Sequence, residues 1–334
     1  MTHPGSETGA LPAAPAASLE SCQVQRELKG KDFLTLSDFS PEEIHWLLQH
    51  ALDLKRMQQE GTPHPYLQGK VLGMIFEKPS TRTRVSFEVG MIQLGGQAIF
   101  LGKQDIQLSR GESMADTAKV LSRYVDGVMI RTFSHEGLEA FAQAATVPVI
   151  NGLTDTHHPA QVMADLLTIL EHKGRLQGLK LAYVGDGNNM AHSLLEGAVK
   201  VGMHIALATP QGYEPDPNIV EGAIQAAKAT GSQVLITHDP LQAVHEADVV
   251  VTDVWASMGQ EAEQAQRESV FQPYQVNTEL CQHAKPDYIF LHCLPAHRGE
   301  EVTAEIIDGS HSVVFDEAEN RLHAQKALLS ALLG

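Results

Sequence analysis

Cysteine is scarce: three residues in 334 (Cys22, Cys281 and Cys293), with no C-x-x-C spacing. A disulfide framework is excluded, and a reducing, cytoplasmic setting is expected. No run of about 18 apolar residues occurs, so no helix is expected to span a membrane. The chain does not open with a basic stretch followed by an apolar one. Glu7 and Glu20 come early, and no Lys or Arg precedes Arg26. Neither a secretory signal nor an Arg-rich transit peptide fits that pattern. Basic residues are also few: 24 Lys and Arg face 41 Asp and Glu, a net charge of −17 at pH 7. That balance excludes general binding of nucleic acid or an anionic membrane, yet leaves room for a local cationic pocket. Despite 17 histidines, there is no H-E-x-x-H and no Cys/His pair spacing. The adjacent His157 and His158 suit chelation poorly. No metal and no cofactor are expected. Gly-x-Ser-x-Gly and Walker A sequences are likewise missing.

What is present is enough apolar sequence, 43% hydrophobic residues, for more than one core. The length favours two domains. Residues 1–30 are expected to be a tail, with Ala, Pro, Gly and Ser up to about Gln25 burying too little to order it. Order should begin near Lys31. Ser40-Pro41-Glu42-Glu43 is a helix start. Short apolar runs at 71–76, 98–100, 127–130, 147–150, 179–184, 204–208, 234–237, 247–252 and 288–291 predict buried strands. Helical segments lie between them. Such alternation specifies an α/β fold: two doubly wound domains with central parallel sheets and an interdomain cleft. The halves divide near residues 151–155, giving 31–152 and 153–316, and a final amphipathic helix covers 317–334. The cleft is the natural ligand site.

Five motifs fall at the ends of predicted strands or the starts of helices. Ser80, Thr81, Arg82 and Thr83 stand where a strand yields to a helix, so free backbone N–H groups, hydroxyls and a guanidinium fork converge as for an anion. The plainer alternative is a capped helix with surface arginines, and Arg84 can simply pair with Glu88. His158-Pro159-Ala160-Gln161 places two neutral donors three residues apart, suited to polarising a carbonyl oxygen. On its own, His158 is more simply a satisfied histidine beside a helix start. Gly185-Asp186-Gly187-Asn188-Asn189-Met190 is half of a dinucleotide fingerprint. Met190 stands where the third glycine belongs, and no acid ends the next strand, which argues against a nicotinamide cofactor. A loop holding Asn188 or Asn189 over the cleft fits equally. Asp253, followed by Ser257-Met258-Gly259, ends a strand as a carboxylate suited to an amino group. Cys293, in His292-Cys293-Leu294-Pro295, is either a cleft thiol or a buried small hydrophobe.

Together these motifs resemble the aspartate/ornithine carbamoyltransferase family over residues 31–333. Ser80-Thr81-Arg82-Thr83 and His158-Pro159-Ala160-Gln161 match its two carbamoyl phosphate motifs. Asp253 with Ser257-Met258-Gly259, and His292-Cys293-Leu294-Pro295, match its ornithine branch; putrescine and acetylornithine carbamoyltransferases depart at the Ser-Met-Gly loop. The resemblance implies a carbamoyl phosphate-binding first domain, with the last helix packed back on it, and an ornithine-binding second domain. It implies that the δ-amine of L-ornithine takes the carbamoyl group, giving L-citrulline and phosphate, in arginine biosynthesis. It also implies a homotrimer, or a multiple of trimers, with Gln107 reaching into a neighbour's site. Carbamoyl phosphate would meet residues 80–83, Arg131, His158, Gln161, Cys293, Leu294 and Arg321. Ornithine would meet Asn189, Asp253, Ser257 and Met258. Catalysis would fall to Cys293, Arg131, His158 and Gln161.

Overall fold

The computed structural model describes residues 19–104, 106, 111–257, 259 and 261–334. Residues 1–18, Gln107 and Met258 therefore lie outside the described residues. The chain opens with α1 (Leu19–Leu28), α2 (Pro41–Gln59), β1 (Val71–Phe76), α3 (Thr81–Gln93) and β2 (Gln97–Gly102). Next come α4 (Met114–Leu121), β3 (Gly127–Arg131), α5 (His135–Ala144) and β4 (Val149–Leu153). The second half runs α6 (Pro159–Lys173), β5 (Lys180–Val184), α7 (Asn189–Lys200), β6 (His204–Ala208), α8 (Pro217–Thr230) and β7 (Val234–Thr237). It continues through α9 (Pro240–Val244), β8 (Val249–Val251), α10 (Gln264–Phe271), α11 (Thr278–Cys281), β9 (Ile289–Leu291) and α12 (Ala304–Ile307), and closes with α13 (Val314–Leu333).

All strand pairs are parallel, in two sheets ordered β2-β1-β3-β4 and β7-β6-β5-β8-β9. Each sheet therefore reverses its winding once, between β1 and β3 and between β5 and β8. In open α/β sheets the crevice at the carboxyl ends of such a reversal is where ligands bind. Central strands such as β3 are buried along their whole length, which is why they read as unbroken apolar runs rather than as alternation.

Local signals work as expected at α2. Ser40 Oγ accepts from Glu43 N at 3.2 Å, and Glu43 Oε2 accepts from Ser40 N at 2.8 Å, a reciprocal cap. The terminal helix α13 packs against α2, α3 and α6, burying Leu328, Leu329 and Leu332. Full burial of each leucine contributes about 1.5–3 kcal/mol. It thus ties the first half to the α6 segment that leads into the second.

One expectation is corrected. Order begins by Leu19, because α1 occupies residues assigned above to a disordered tail. Its last turn is held from outside: Leu28 is fully buried in the core, and Gly30 N donates to Leu332 O at 2.9 Å. Tertiary contact, not local composition, stabilises it. The short helices α9 to α12 were also not expected; each spans only four to eight residues, too few for a periodic pattern.

Candidate active site

A cleft of about 720 Å³ lies at the carboxyl ends of both sheets. Its first wall is built where β1 ends and α3 begins. Ser80 caps α3, its Oγ accepting from Thr83 N at 3.2 Å, so the first free N–H groups of the helix open beside it. Arg82 Nη2 donates to Leu294 O at 2.6 Å, and Arg321 Nη2 donates to Thr83 Oγ1 at 2.7 Å. Arg131, the last residue of β3, is buried alongside. Burial, together with the charge of the neighbouring arginines, lowers Arg131 and Arg321 to about 10. Both remain cations at neutral pH, so three guanidiniums share one wall. Among the described residues, Arg82 Nε and Arg321 Nε are buried without a hydrogen-bond partner. Three guanidiniums with free donors in one wall suit an anionic group.

His158 sits at the start of α6, its backbone N bound to Ser193 Oγ at 2.8 Å. Burial first, then Arg321, Arg131 and Arg82, push its pKa well below the ordinary value, so the ring is neutral. Gln161, one turn on, has its Nε2 committed to Asp165 Oδ1 and Glu317 Oε1, both at 2.9 Å. Only Oε1 is left, with no partner among the described residues. Gln161 is thus an acceptor here, not the donor that its sequence position suggested; two buried carboxyls take its amide hydrogens.

The opposite wall rises from β5, β8 and β9. Asp253 Oδ1 accepts from Cys293 Sγ at 3.2 Å and from Val254 N at 2.8 Å, and its Oδ2 accepts from Asn188 Nδ2 at 2.9 Å. Burial, then the nearby Asp253 and Glu317, raise the Cys293 thiol well above its usual range. It is an S–H donor, not a thiolate. Asn189 Nδ2 donates to Thr154 O at 2.7 Å, and Ser257 lines the cleft. Leu294 adopts φ +56°, a conformation that a branched residue holds only under constraint. The constraint is visible: Arg82 grips its carbonyl, and His292 Nδ1 accepts from its N–H at 2.9 Å.

Asp253, His292 and Cys293 bring potential metal-ligand atoms within 4.8 Å of one another. Both nitrogens of His292 are already engaged, Nδ1 by Leu294 N and Nε2 by Glu301 at 3.1 Å, so the trio fits a metal poorly. The glycines of Gly185-Asp186-Gly187 answer to packing. A Cβ on Gly187 would meet Pro215 N at 2.3 Å, so the close approach is to the chain's own 213–215 segment rather than to a pyrophosphate.

Several groups at or near the cleft carry no role in the sequence reading. Lys78 pairs with Asp155 and lies 4.2 Å over the Phe133 ring. Arg267 binds Asp186 at 2.8 Å and Trp255 O at 2.9 Å. Behind His158, the rings of His135, His157 and His192 cluster, with centroids 4.7 and 6.2 Å apart. Burial, then its two histidine neighbours, lower His157 to about 3. The unfolded chain binds a proton on this residue below about 6.5 while the folded one does not, so its contribution to stability is lost as pH falls from 6.5 toward 3. His157→Gln is expected to flatten the loss of stability between pH 6 and 4 by about 1 kcal/mol per pH unit, read by urea unfolding. Glu196, raised by burial to about 7, acts with the opposite sign, and its Oε2 lies 3.6 Å from His157 Nδ1, so the comparison is made in a Glu196→Gln background.

A cationic wall facing a carboxylate and a thiol, across the paired ends of two doubly wound sheets, defines a two-substrate α/β enzyme. The chain belongs to the aspartate/ornithine carbamoyltransferase family: residues 31–171 match the family's carbamoyl-P binding domain and residues 177–332 its Asp/Orn binding domain. It is 65% identical over 306 residues to an ornithine carbamoyltransferase of Carboxydothermus hydrogenoformans, covering 92% of this chain and 98% of that protein. The solved ornithine carbamoyltransferase of Pyrococcus furiosus superposes with a TM-score of 0.90 at 57% identity, covering 92% of this chain and 98% of that one. That of Thermus thermophilus gives 0.81 at 45% identity, over 91% and 99%.

Proposed function

We infer that this protein transfers the carbamoyl group of carbamoyl phosphate to the δ-amine of L-ornithine, releasing L-citrulline and phosphate. The observation that carries this is the sharing of one cleft by Ser80, Arg82, Asp253 and Cys293, with Arg82 bonded to the residue after the thiol. Residues 31–152 with 317–334 bind carbamoyl phosphate, and residues 153–316 bind ornithine. Helix α6 bridges the two. The amide groups at the start of α3, with Ser80, Thr81, Arg82 and Thr83, receive the phosphate. Arg131 and the neutral His158 stabilise the negative charge that develops on the carbamoyl oxygen as the carbon is attacked. Gln161 Oε1 accepts from the carbamoyl NH2 group, Arg321 and the Leu294 carbonyl flank it, and Gln107 enters from a neighbouring subunit of a homotrimer or a multiple of trimers.

Asn189, Asp253, Ser257 and Met258 hold the amino-acid head of ornithine. Its δ-ammonium has a reference pKa of about 10.4 and gives one proton to solvent before attack, and the second proton of the attacking nitrogen leaves on the departing phosphate. Cys293, being protonated, orients that amine and forms no covalent intermediate. Alignment of the two substrates supplies much of the remaining acceleration. The setting is cytoplasmic and the direction biosynthetic; the Pyrococcus furiosus relative carries "anabolic" in its name. Parallel citrulline-type assays with carbamoyl phosphate and ornithine, putrescine, aspartate or acetylornithine are expected to show turnover with ornithine, at least about 100-fold above the others in kcat/KM. Equal or greater turnover of putrescine would contradict the role given to Asp253 and the 257–259 loop.

A further inference from the structure

Two buried carboxyls behind Gln161 take no part in the reaction derived above. Asp165 lies one turn beyond Gln161 on α6 and is fully buried; Glu317 lies on α13 at 1% exposure. A buried charge is costly unless paired and hydrogen-bonded, so both need an account. Gln161 Nε2 donates to each of them at 2.9 Å. Glu317 Oε2 also accepts from His292 N at 2.8 Å. The two carboxyls meet at the same Gln161 nitrogen, and buried like charges so placed disfavour ionisation of both together. Arg321 is the cation facing the pair, and Asp253 is an anion that disfavours a second charge there. Burial raises Asp165 to about 7 and Glu317 well above the usual carboxylate range. A doubly ionised pair is therefore disfavoured at neutral pH.

An amide side chain has two ends of nearly equal shape, one a donor and one an acceptor. Packing alone does not choose between them. Two acceptors on the nitrogen side do, because the reverse orientation would set the Gln161 oxygen against a carboxylate. We propose that Asp165 and Glu317 act as a pair of positioning residues, fixing Gln161 so that its oxygen is offered to the amide-bearing half of carbamoyl phosphate. Through the His292 amide the same pair anchors the start of the turn that carries Cys293. This rests on carbamoyl phosphate being the ligand of this cleft.

The test compares two inert ligands by calorimetry: phosphonoacetamide, which keeps the amide and the phosphonate, and inorganic phosphate, which lacks the amide. Asp165→Leu is expected to weaken phosphonoacetamide about tenfold, the scale of a lost hydrogen bond, and to leave phosphate within about twofold. Asp165→Asn offers Gln161 an acceptor and Glu317 a donor, as a protonated aspartate does, and should stay within about threefold of wild type for both. The double variant Asp165→Leu/Gln161→Ala should bind phosphonoacetamide no more weakly than Gln161→Ala alone. Parallel loss of both ligands, additive losses in the double variant, or equal damage from asparagine and leucine would each overturn the proposal. If the leucine variant does not fold, the asparagine variant decides: a loss beyond about tenfold for phosphonoacetamide overturns it, and retention supports it. Absence of citrulline formation by the wild type would remove the assigned reaction instead, while the contrast between the two ligands would still report on the pair.

Discussion

Arg82→Ala is expected to lower kcat/KM for carbamoyl phosphate by about 10²–10⁴, the equivalent of two charge-assisted hydrogen bonds at about 1.5–3 kcal/mol each. The loss should be in carbamoyl phosphate, with KM for ornithine shifting less than about threefold, because the guanidinium stands on the anion wall. Arg82 does more than add charge: its Nη2 also holds the Leu294 carbonyl, so the substitution frees a turn kept at positive φ. Arg82→Lys separates the two effects. It keeps the charge but not the planar fork, and should fall between wild type and alanine. Arg84→Ala is the control. That guanidinium pairs with Glu88 at 2.9 Å and lies 3.9 Å over the Phe100 ring, and its loss should leave kcat/KM within about twofold. Steady-state kinetics with each substrate varied in turn measures all three. Carbamoyl phosphate affinity unchanged in Arg82→Ala would remove the residue from phosphate binding.

The parts of this molecule that the sequence reveals are those set by local physics. Strands buried on both faces appear as apolar runs, and each of the nine lies within a few residues of its expected place. Ser80 and Pro159 mark helix starts because capping and the missing proline N–H act within one turn. Contacts between residues far apart in the chain are invisible at that level. Arg82 meets Leu294 across 212 positions, Gln161 meets Glu317 across 156, and Arg267 meets Asp186 across 81. The direction of the Gln161 amide follows from such a contact, and so could not be foreseen from His158-Pro159-Ala160-Gln161. One trace was present: Asp165 is the lone charge in the apolar stretch 162–170, and a charge there needs a partner. The helix α1 fails in the other direction, since its composition reads as a tail and its packing against α2 and α13 orders it.

Asp253→Asn is expected to cost about 10²–10³ in kcat/KM for ornithine, on the scale of removing one partner from a buried charge pair. The carboxylate is buried and accepts from three donors: the Cys293 thiol, Asn188 Nδ2 and Val254 N. An asparagine has only one acceptor end. Whichever way it turns, its NH2 group confronts either the Asn188 amide or the thiol and the Val254 N–H, so the wall loses a charge and gains a clash of donors. Carbamoyl phosphate binding should hold within about threefold, because Arg82, Arg131 and Arg321 are untouched. Cys293→Ala should cost less, about 10–10², since a neutral thiol contributes one hydrogen bond to a charged group. If thiol and carboxylate act as a unit, the double variant will lose less than the product of the single losses. Multiplicative losses would mean that each meets a different part of ornithine, Asp253 the amino-acid head and Cys293 the reacting amine. The smaller loss is the one expected here, because Cys293 Sγ donates to Asp253 Oδ1 at 3.2 Å and removal of the thiol relieves part of the donor clash that Asp253→Asn creates. Retention of ornithine turnover within about tenfold in Asp253→Asn would place the cationic head elsewhere in the cleft.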